Sequence, residues 1–319
     1  MIDRCLDRIE REIAGLKNPV STVYVGGGTP TLLSVKQLER LGGMLPPAAE
    51  RSIESNPETI TPEKARVMAA FFNRVSTGVQ SFDAEKRRII GRDCSDRAIE
   101  TALELLAAQP FEHRNIDLIY NIHGQTPEQW RRDLESALKW PVDHLSCYAL
   151  TLDEAGGNPD DRFGEREAEL SEVTLETVST LLPRYEISNY AKPGCGCRHN
   201  LNVWRGDTYL GVGPSAASFD GTDRFKQIDS IDRWLAGEPP EYDRLASASR
   251  EREIFAFNLR TVAGWRRGDW PWSWKNALAL AGENAALHPE FWTIAADSIR
   301  LTSAGLDFWD LVAGELLDD

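Results

Sequence analysis

The sequence predicts an α/β fold built on a parallel sheet, arranged either as a (β/α) barrel or as an open sheet. Six short β-rich runs alternate with helical runs up to residue 190. Strands separated by a helix must run parallel, because the crossover needs a dozen or more residues. The strands are apolar and β-branched, which is typical of a sheet buried on both faces. We therefore expect the ligand site in the loops after the strand carboxyl ends.

Each element follows from a local pattern. The first helix, over residues 2–16, has apolar residues at helical spacing, and the strand Thr22–Val25 stops at three glycines. Later helices open with caps at Ser34, Thr61 and Thr126, a further helix is predicted from Ser95 onward, and the last helix of this alternating series is predicted over residues 165–182. The other strands are predicted at residues 51–54, 74–79, 114–120, 144–150 and 184–190.

The character of the sequence changes after about residue 225. We predict a core domain over residues 1–225, and a linker with a small, mostly helical C-terminal domain over residues 226–319. That domain opens with a short helix at 229–237 and ends with a helix at 304–317. The acidic, glycine-containing segment 153–162 is predicted to be a surface loop.

Composition excludes several classes of protein. A net charge of -14 and a pI near 4.9 disfavour nucleic acid as a partner, because phosphate binding needs a basic surface. No run reaches the ~18 apolar residues of a membrane span, and the charged N-terminus does not resemble a secretory signal. Five scattered cysteines suit a reducing cytoplasm better than a disulfide framework.

Polar and glycine-rich segments follow the predicted strands on one side of the sheet. Each alone is explained equally well by an ordinary turn, and the glycines lack the spacing of a dinucleotide site or a P-loop. Together they predict a pocket for a zwitterionic, ribose-bearing small molecule, with donors and acceptors from successive strand ends. The residues concerned are Gly26–Pro30, Glu54, Gln80, Arg92 and Asp117.

A second candidate segment begins at Cys195 and continues through Cys197 and His199. A zinc site there is disfavoured, since the usual second Cys/His pair is absent. A single histidine can be an axial haem ligand, and Trp204 could pack on a flat aromatic ligand. A structured loop with a hydrogen-bonded histidine explains the same residues equally well.

Several segments in the same order resemble the oxygen-independent coproporphyrinogen III oxidase family of radical S-adenosylmethionine (SAM) proteins, and within it the haem-chaperone branch. The resemblance covers nearly the whole chain and rests on YVGGGTP, ESNPETITPEK, NRVSTGVQSF, NIDLIYN, HLSCYALTL, RYEISNYAKPG, CRHN, YLGVGPSA and LTSAGLDFWDLV.

The resemblance implies cofactor contacts at defined positions. SAM contacts are implied at Gly27, Gly28, Thr29, Glu54, Gln80, Arg92 and Asp117. An HNxxYW segment is associated with haem in such proteins. Here it gives His199 as candidate iron ligand, with Asn200 and Trp204, and Val203 stands where tyrosine is expected.

The family also implies an opening strand carrying CxxxCxxC, whose thiolates hold a [4Fe-4S] cluster that chelates SAM. The sequence contains no such spacing, and Cys195 with Cys197 cannot supply three ligands. We therefore expect a partial parallel (β/α) barrel of radical SAM type that lacks its first strand. The strand before GGGTP then has an unpaired edge, and no radical catalysis is expected from this chain.

Three hypotheses follow. The first is a haem chaperone that binds haem and transfers it to an unidentified acceptor protein. The second is a coproporphyrinogen III oxidase whose cluster segment lies upstream of the given start, and the third is a non-catalytic scaffold for a protein partner. The HNxxxW segment and the ESNP form favour the first.

Overall fold

The computed structural model describes residues 1–151, 163–269 and 274–317, so the predicted acidic loop at 153–162 lies outside the described residues. A seven-stranded sheet, in the order β1-β2-β3-β4-β5-β7-β6, forms the centre of the fold. Strands β1 to β5 pair in parallel, as predicted. The strands are β1 (Thr22–Val25), β2 (Glu50–Ser55), β3 (Arg74–Gln80), β4 (His113–Tyr120), β5 (His144–Ala149), β6 (Arg184–Glu186) and β7 (Asn189–Ala191).

Within the described residues, seven α-helices precede or connect these strands. The predicted capping boxes are present, with the side chains of Ser34 and Thr126 accepting hydrogen bonds from the backbone three residues on. A short helix capped by Asp83 was not predicted. The helices are α1 (Ile2–Ala14), α2 (Val35–Met44), α3 (Pro62–Phe71), α4 (Ala84–Ile89), α5 (Asp96–Ala107), α6 (Pro127–Leu138) and α7 (Phe163–Val178).

The last predicted strand, residues 184–190, is wrong in both extent and direction. The chain turns at Ile187 and Ser188, which divides the run into β6 and β7. Strand β7 then pairs antiparallel with β5. The parallel rule applies to strands joined by a helix, and β7 follows β6 through a two-residue turn instead.

Both faces of the sheet are buried, as predicted, but they differ in polarity, so the expected apolar composition holds for one face only. One face carries the buried apolar residues Ile53, Val75, Val79, Ile116, Leu118 and Leu145. The alternate positions of the same strands are polar and also buried: Glu50, Ser52, Arg74, Ser76, Asn115, His144 and Ser146. Since side chains alternate along a strand, the apolar set packs under the helices and the polar set lines the inside of the partial barrel.

The C-terminal region is mostly helical, as predicted, and also contains two three-stranded antiparallel sheets, β10-β9-β8 and β11-β13-β12. The helix predicted at 304–317 is interrupted at Phe308, which leaves the helical conformation. The elements are α8 (Arg198–Trp204), β8 (Ala217–Phe219), β9 (Arg224–Lys226), α9 (Ile231–Ala236), β10 (Glu241–Asp243), α10 (Ser247–Asn258), β11 (Trp265–Arg266), α11 (Trp274–Leu287), β12 (Trp292–Ile294), β13 (Ser298–Leu301), α12 (Ser303–Asp307) and α13 (Trp309–Leu317).

The chain divides into two compact units. One comprises residues 17–184 and 188–196, and the other comprises residues 1–16, 185–187 and 197–319. Helix α1 is part of the second unit, where the Arg8 guanidinium lies 4.5 Å from the centroid of the Trp234 ring. Within the part of the chain that the structure describes, no helix combines the length and apolarity needed to cross a membrane.

Candidate functional site

The glycine turn after β1 is tied to the segment that follows β2. Gly27 and Gly28 have φ values of 76° and 149°, which side-chain-bearing residues rarely adopt. The amide Nδ2 of Asn56 donates to Oγ1 of Thr29 at 2.8 Å. These contacts hold the turn against the carboxyl end of β2.

Glu54, near the end of β2, points at this turn. Tyr24 donates its hydroxyl proton to Oε1 of Glu54 at 2.9 Å, and the Gly27 N–H also bonds the carboxylate. A Cβ on Gly26 would lie 2.7 Å from that carboxylate, so only glycine leaves it room. Burial raises the pKa of Glu54; the Tyr24 hydrogen bond opposes this rise, and the negative charge of Asp117 adds to it.

Asp117 lies in the middle of β4 and accepts hydrogen bonds from three neighbouring side chains. Ser76 Oγ donates to Oδ2 at 2.7 Å, Asn115 Nδ2 donates to Oδ1 at 2.7 Å, and Ser146 supplies a third bond. Burial nevertheless raises the pKa of Asp117. The influence of Asp117 on the pKa of Glu54 shows that the two carboxylates are close enough to repel each other.

Gln80 ends β3 in an unusual backbone conformation. Its φ of 70° lies in the left-handed region, next to an irregularity in the pairing of β3 with β4. A Cβ on Gly78 would lie 2.7 Å from Nε2 of Gln80 and 3.2 Å from Oδ1 of Asn56. Such strain occurs often at ligand sites, and here the Gln80 amide lies close to Gly78 and Asn56.

The structure brings six of the seven predicted SAM residues to one edge of the sheet, and Arg92 is the exception. Arg92 is exposed beyond α4, and its backbone N–H donates to the Arg87 carbonyl. Among the described residues, no hydrogen bond or ion pair joins its side chain to the other six. The six residues are Gly27, Gly28, Thr29, Glu54, Gln80 and Asp117.

Sequence reasoning missed several residues that position these groups. A signal was available, because polar residues alternate with apolar ones along β2 to β5. A period of two marks a strand with one polar face, whereas the composition of the whole strand hides it. The missed residues are Tyr24, Asn56, Ser76, Asn115 and Ser146.

The arrangement combines acceptors and donors at one edge. The carboxylates of Glu54 and Asp117 can receive ammonium or hydroxyl groups, and the open backbone at Gly27 and Gly28 can approach a ligand closely. The cysteines of this unit do not complete a cluster site. Cys147 is buried in the apolar core, and Cys195 follows β7, which runs opposite to its neighbours.

The predicted haem residues lie on α8, in the other compact unit. His199 and Asn200 are half-buried in its first turn. Trp204 follows His199 by five residues, so the two side chains leave the helix about 140° apart around its axis. They therefore do not share one side of the helix. Val203, four residues after His199, does share that side, at the position where the resemblance expects tyrosine.

Trp204 has a packing role within its unit. The Arg260 guanidinium lies 4.5 Å from the centroid of the Trp204 ring, and the Phe257 ring lies 6.3 Å away. Arg260 also lies 4.5 Å from the Trp309 ring centroid, and Trp309 stacks on Phe257. The indole of Trp204 is therefore held by an aromatic and cationic group rather than presented as an open stacking face.

Comparison with known proteins supplies the family. Residues 3–137 match the radical SAM superfamily. The chain is 37% identical over 243 residues to the heme chaperone HemW of Mycobacterium tuberculosis H37Rv, across 69% of this chain and 62% of that protein. It is 30% identical over 287 residues to the heme chaperone HemW of Lactococcus lactis, across 82% of this chain and 75% of that protein.

The fold comparison agrees. The structure of coproporphyrinogen III oxidase (HemN) from Escherichia coli, described as a radical SAM enzyme, aligns with a TM-score of 0.79 at 20% identity. The alignment covers 99% of this chain and 83% of that one, which establishes a shared fold. The chain spans less than two thirds of the M. tuberculosis relative, 62% of its length. Taken together, these matches establish that the chain belongs to the family of the heme chaperone HemW, within the radical SAM superfamily.

Proposed function

We propose that the chain binds haem and transfers it to an acceptor protein, on a scaffold whose sheet edge binds SAM. Support for the haem role comes from the relatives, which are named heme chaperones, and from His199 in the first turn of α8. An imidazole nitrogen is an ordinary axial ligand of haem iron. Haem in this proposal is the cargo, and His199 holds its iron.

The observation that carries the SAM proposal is the Glu54 carboxylate, fixed by Tyr24 and Gly27 in space that Gly26 leaves free. SAM carries an ammonium group, a carboxylate and ribose hydroxyls. The carboxylates of Glu54 and Asp117 can accept hydrogen bonds from the ammonium or hydroxyl groups of SAM, and the Gln80 amide can both donate and accept them. The glycine turn lets the backbone approach the ligand closely.

The cluster of the family does not fit the cysteines of this chain. When SAM is bound to a reduced [4Fe-4S] cluster it supplies radical chemistry. The five cysteines, at positions 5, 94, 147, 195 and 197, do not form a CxxxCxxC motif. We therefore assign no radical step to these residues, and the oxidase hypothesis ranks below the chaperone hypothesis.

A haem titration tests the first part of the proposal. We expect the purified chain to shift the Soret band of added haem, and His199→Ala to weaken binding by at least about tenfold, or about 1.4 kcal/mol. His123→Ala, which removes an exposed imidazole, is the matched control. Transfer is then followed by mixing the loaded chain with apomyoglobin. Equal haem affinity in wild type and His199→Ala would contradict the assignment of His199.

Calorimetry with SAM tests the second part. We expect Glu54→Gln to weaken SAM binding while Glu104→Gln, on the exposed side of α5, leaves it unchanged. The absence of both haem and SAM binding by a folded chain would favour the scaffold hypothesis instead.

A further inference from the structure

A histidine, an aspartate and a cysteine meet at the edge of the sheet opposite the glycine turn. His113 is the first residue of β4, Asp143 directly precedes β5, and Cys195 lies in the turn after β7. One ligand atom from each lies within 4.8 Å of the other two, and all three side chains are half-buried. None of them belongs to the proposed SAM or haem residues.

The topology explains why three distant segments converge. Strands β4 and β5 are parallel, so their starting residues lie at the same edge, where His144 pairs with Asn115. Strand β7 runs the other way, so its last residue, Ala191, pairs with His144 at that edge. The next backbone N–H, from Lys192, donates to the carbonyl of Asp143 at 2.9 Å and brings Cys195 alongside.

Each ligand is held before any metal arrives. Oδ1 of Asp143 accepts from the Arg114 N–H at 3.0 Å, and Oδ2 lies 2.6 Å from Nδ1 of His113. The buried Arg74 donates from Nη2 to the carbonyl of Cys195 at 2.8 Å, which fixes the turn that carries the thiol. A donor set held by second contacts in this way needs little reorganisation to bind an ion.

We propose that His113, Asp143 and Cys195 bind a divalent cation of the zinc class. Imidazole nitrogen, carboxylate oxygen and thiolate sulfur are the three ligand types that Zn²⁺ takes in proteins, at about 2.0–2.3 Å. Bonds of that length place tetrahedral ligands about 3.5 Å apart. The widest separation in the cluster therefore needs to close by no more than about 1.3 Å, and His113 Nδ1 and Asp143 Oδ2, now 2.6 Å apart, need to separate by about 0.9 Å. Three protein ligands leave a fourth position for water or an exogenous ligand.

The charges of the cluster agree with a dication. When a metal displaces the proton of the Cys195 thiol, a thiolate and the Asp143 carboxylate stand close together in a partly buried place, and a doubly charged ion between them neutralises both. The nearby Arg74 guanidinium is already engaged by Glu50, whose Oε2 accepts from its Nε at 3.0 Å.

In the sequence around Cys195, the neighbouring candidate metal ligands are Cys197 and His199. The ligands that the fold supplies lie 82 and 52 residues earlier, at His113 and Asp143. No local spacing links these positions, because the contact depends on the reversal of β7.

Cobalt binding tests the proposal on the full chain. After chelation and dialysis, Co²⁺ is added and the thiolate-to-cobalt charge-transfer band is recorded in the near ultraviolet, followed by displacement with Zn²⁺. We expect Cys195→Ser to abolish the band and Asp143→Asn to weaken Co²⁺ binding at least tenfold. Cys94→Ser, another half-buried cysteine of the same compact unit, is the matched control and should keep the band.

Cys195→Ser is the primary variant because the half-buried thiol makes a long contact, 4.0 Å from Sγ to the carbonyl of Pro193, and a hydrogen bond to Asp143 that a serine hydroxyl can keep. Its loss is therefore not expected to unfold the chain. Circular dichroism confirms the fold of each variant. Absence of the band in the folded wild type, or its persistence in Cys195→Ser, would overturn the proposal. The readout requires neither haem nor SAM and is independent of the proposed function.

Discussion

Gly26 controls where the Glu54 carboxylate can stand. Its backbone φ is not in the left-handed region, so conformational freedom does not explain the glycine. The close approach does, since a Cβ would lie 2.7 to 2.8 Å from three atoms of the Glu54 side chain, which Tyr24 and Gly27 hold in place. Side-chain contacts at that distance do not occur without displacement.

Gly26→Ala should therefore weaken SAM binding more than it destabilises the fold. We expect a loss of about tenfold or more in affinity, equivalent to about 1.4 kcal/mol, because the carboxylate must move off its two donors. Calorimetry measures the affinity, and Gly43→Ala, on α2 where a Cβ meets no atom within 4 Å, is the control. An unchanged SAM affinity in Gly26→Ala would show that Glu54 does not contact the ligand.

His144 should make stability depend on pH. It is 2% exposed, and its Nδ1 lies 2.7 Å from Oδ1 of Asn115. Burial, reinforced by the Arg74 charge, lowers the pKa of His144 to about 3. The folded chain thus keeps this imidazole neutral, whereas the unfolded chain protonates it below about pH 6.5.

The direction in which stability changes with pH follows from the difference between the folded and unfolded pKa values of His144. A base with a depressed folded pKa contributes stability above its unfolded pKa, and this contribution is lost as pH falls from 6.5 toward 3, at about 1.4 kcal/mol per pH unit. Asp133 acts oppositely, because burial raises its pKa to about 6 and stability falls as pH rises toward that value.

Urea unfolding of wild type and His144→Gln at pH 7.5 and 5 isolates the contribution of the histidine. The difference between their free energies of unfolding should shrink at the lower pH. A constant difference would contradict a neutral buried His144.

At the scale of the element, β1 is the edge of the main sheet among the described residues. It pairs with β2 only, whereas β3 lies between β2 and β4. In the part of the chain that the structure describes, no second strand pairs with β1, a situation that sheet proteins usually cover.

Backbone hydrogen exchange should reveal this difference. In the 319-residue chain we expect the amides of Thr22–Val25 to exchange faster than those of Arg74–Gln80, because an edge strand opens locally more easily than a strand paired on both sides. Mass spectrometry of peptic peptides measures both segments in one sample. If Thr22–Val25 is as well protected as Arg74–Gln80 at both low and high protein concentration, another element must cover the side of β1 that faces away from β2.

The elements that could be predicted are those with a strong local signal. Helices α2 and α6 begin with capping boxes that involve Ser34 and Thr126, and both boxes are present. Strands β6 and β7 have three residues each, too few for a period to appear, so the turn at Ile187 was missed. Helix α4 was missed because its six residues, AEKRRI, are mostly charged.

The site was predictable to the extent that strand ends meet at one edge. That rule placed Glu54, Gln80 and Asp117 together without any side-chain geometry. It could not place Arg92, which lies beyond a helix rather than at a strand end. It placed Gly26 in the glycine turn but did not predict its close contact with Glu54 on another strand. The cluster of His113, Asp143 and Cys195 could not be predicted either, because it depends on the antiparallel direction of β7.

The whole molecule carries a net charge of -14, and haem carries two propionate carboxylates. Long-range repulsion should therefore slow their encounter at low ionic strength. The Debye length shortens from about 8 Å at 0.15 M salt to about 3 Å at 1 M, so added salt should remove most of this repulsion.

We accordingly expect the association rate of haem to rise with salt, measured by stopped-flow absorbance at constant pH. A surface rich in lysine or arginine near the haem site would attract the propionates, and the association rate would then fall as salt is added. A rate that falls with salt would mean that a basic patch near the haem site, rather than the acidic molecule as a whole, governs the encounter.

The alternation of polar and apolar side chains in β2 to β5 restricts how the gene can change in length. Adding or deleting one codon within Arg74–Gln80 would turn Ser76 toward the helices and Val75 toward the barrel interior, because a shift of one residue exchanges the two faces of a strand. Such changes would remove the core and the ligand edge together. Length variation among relatives should therefore be confined to the connections between elements, while the number of residues within each strand stays constant.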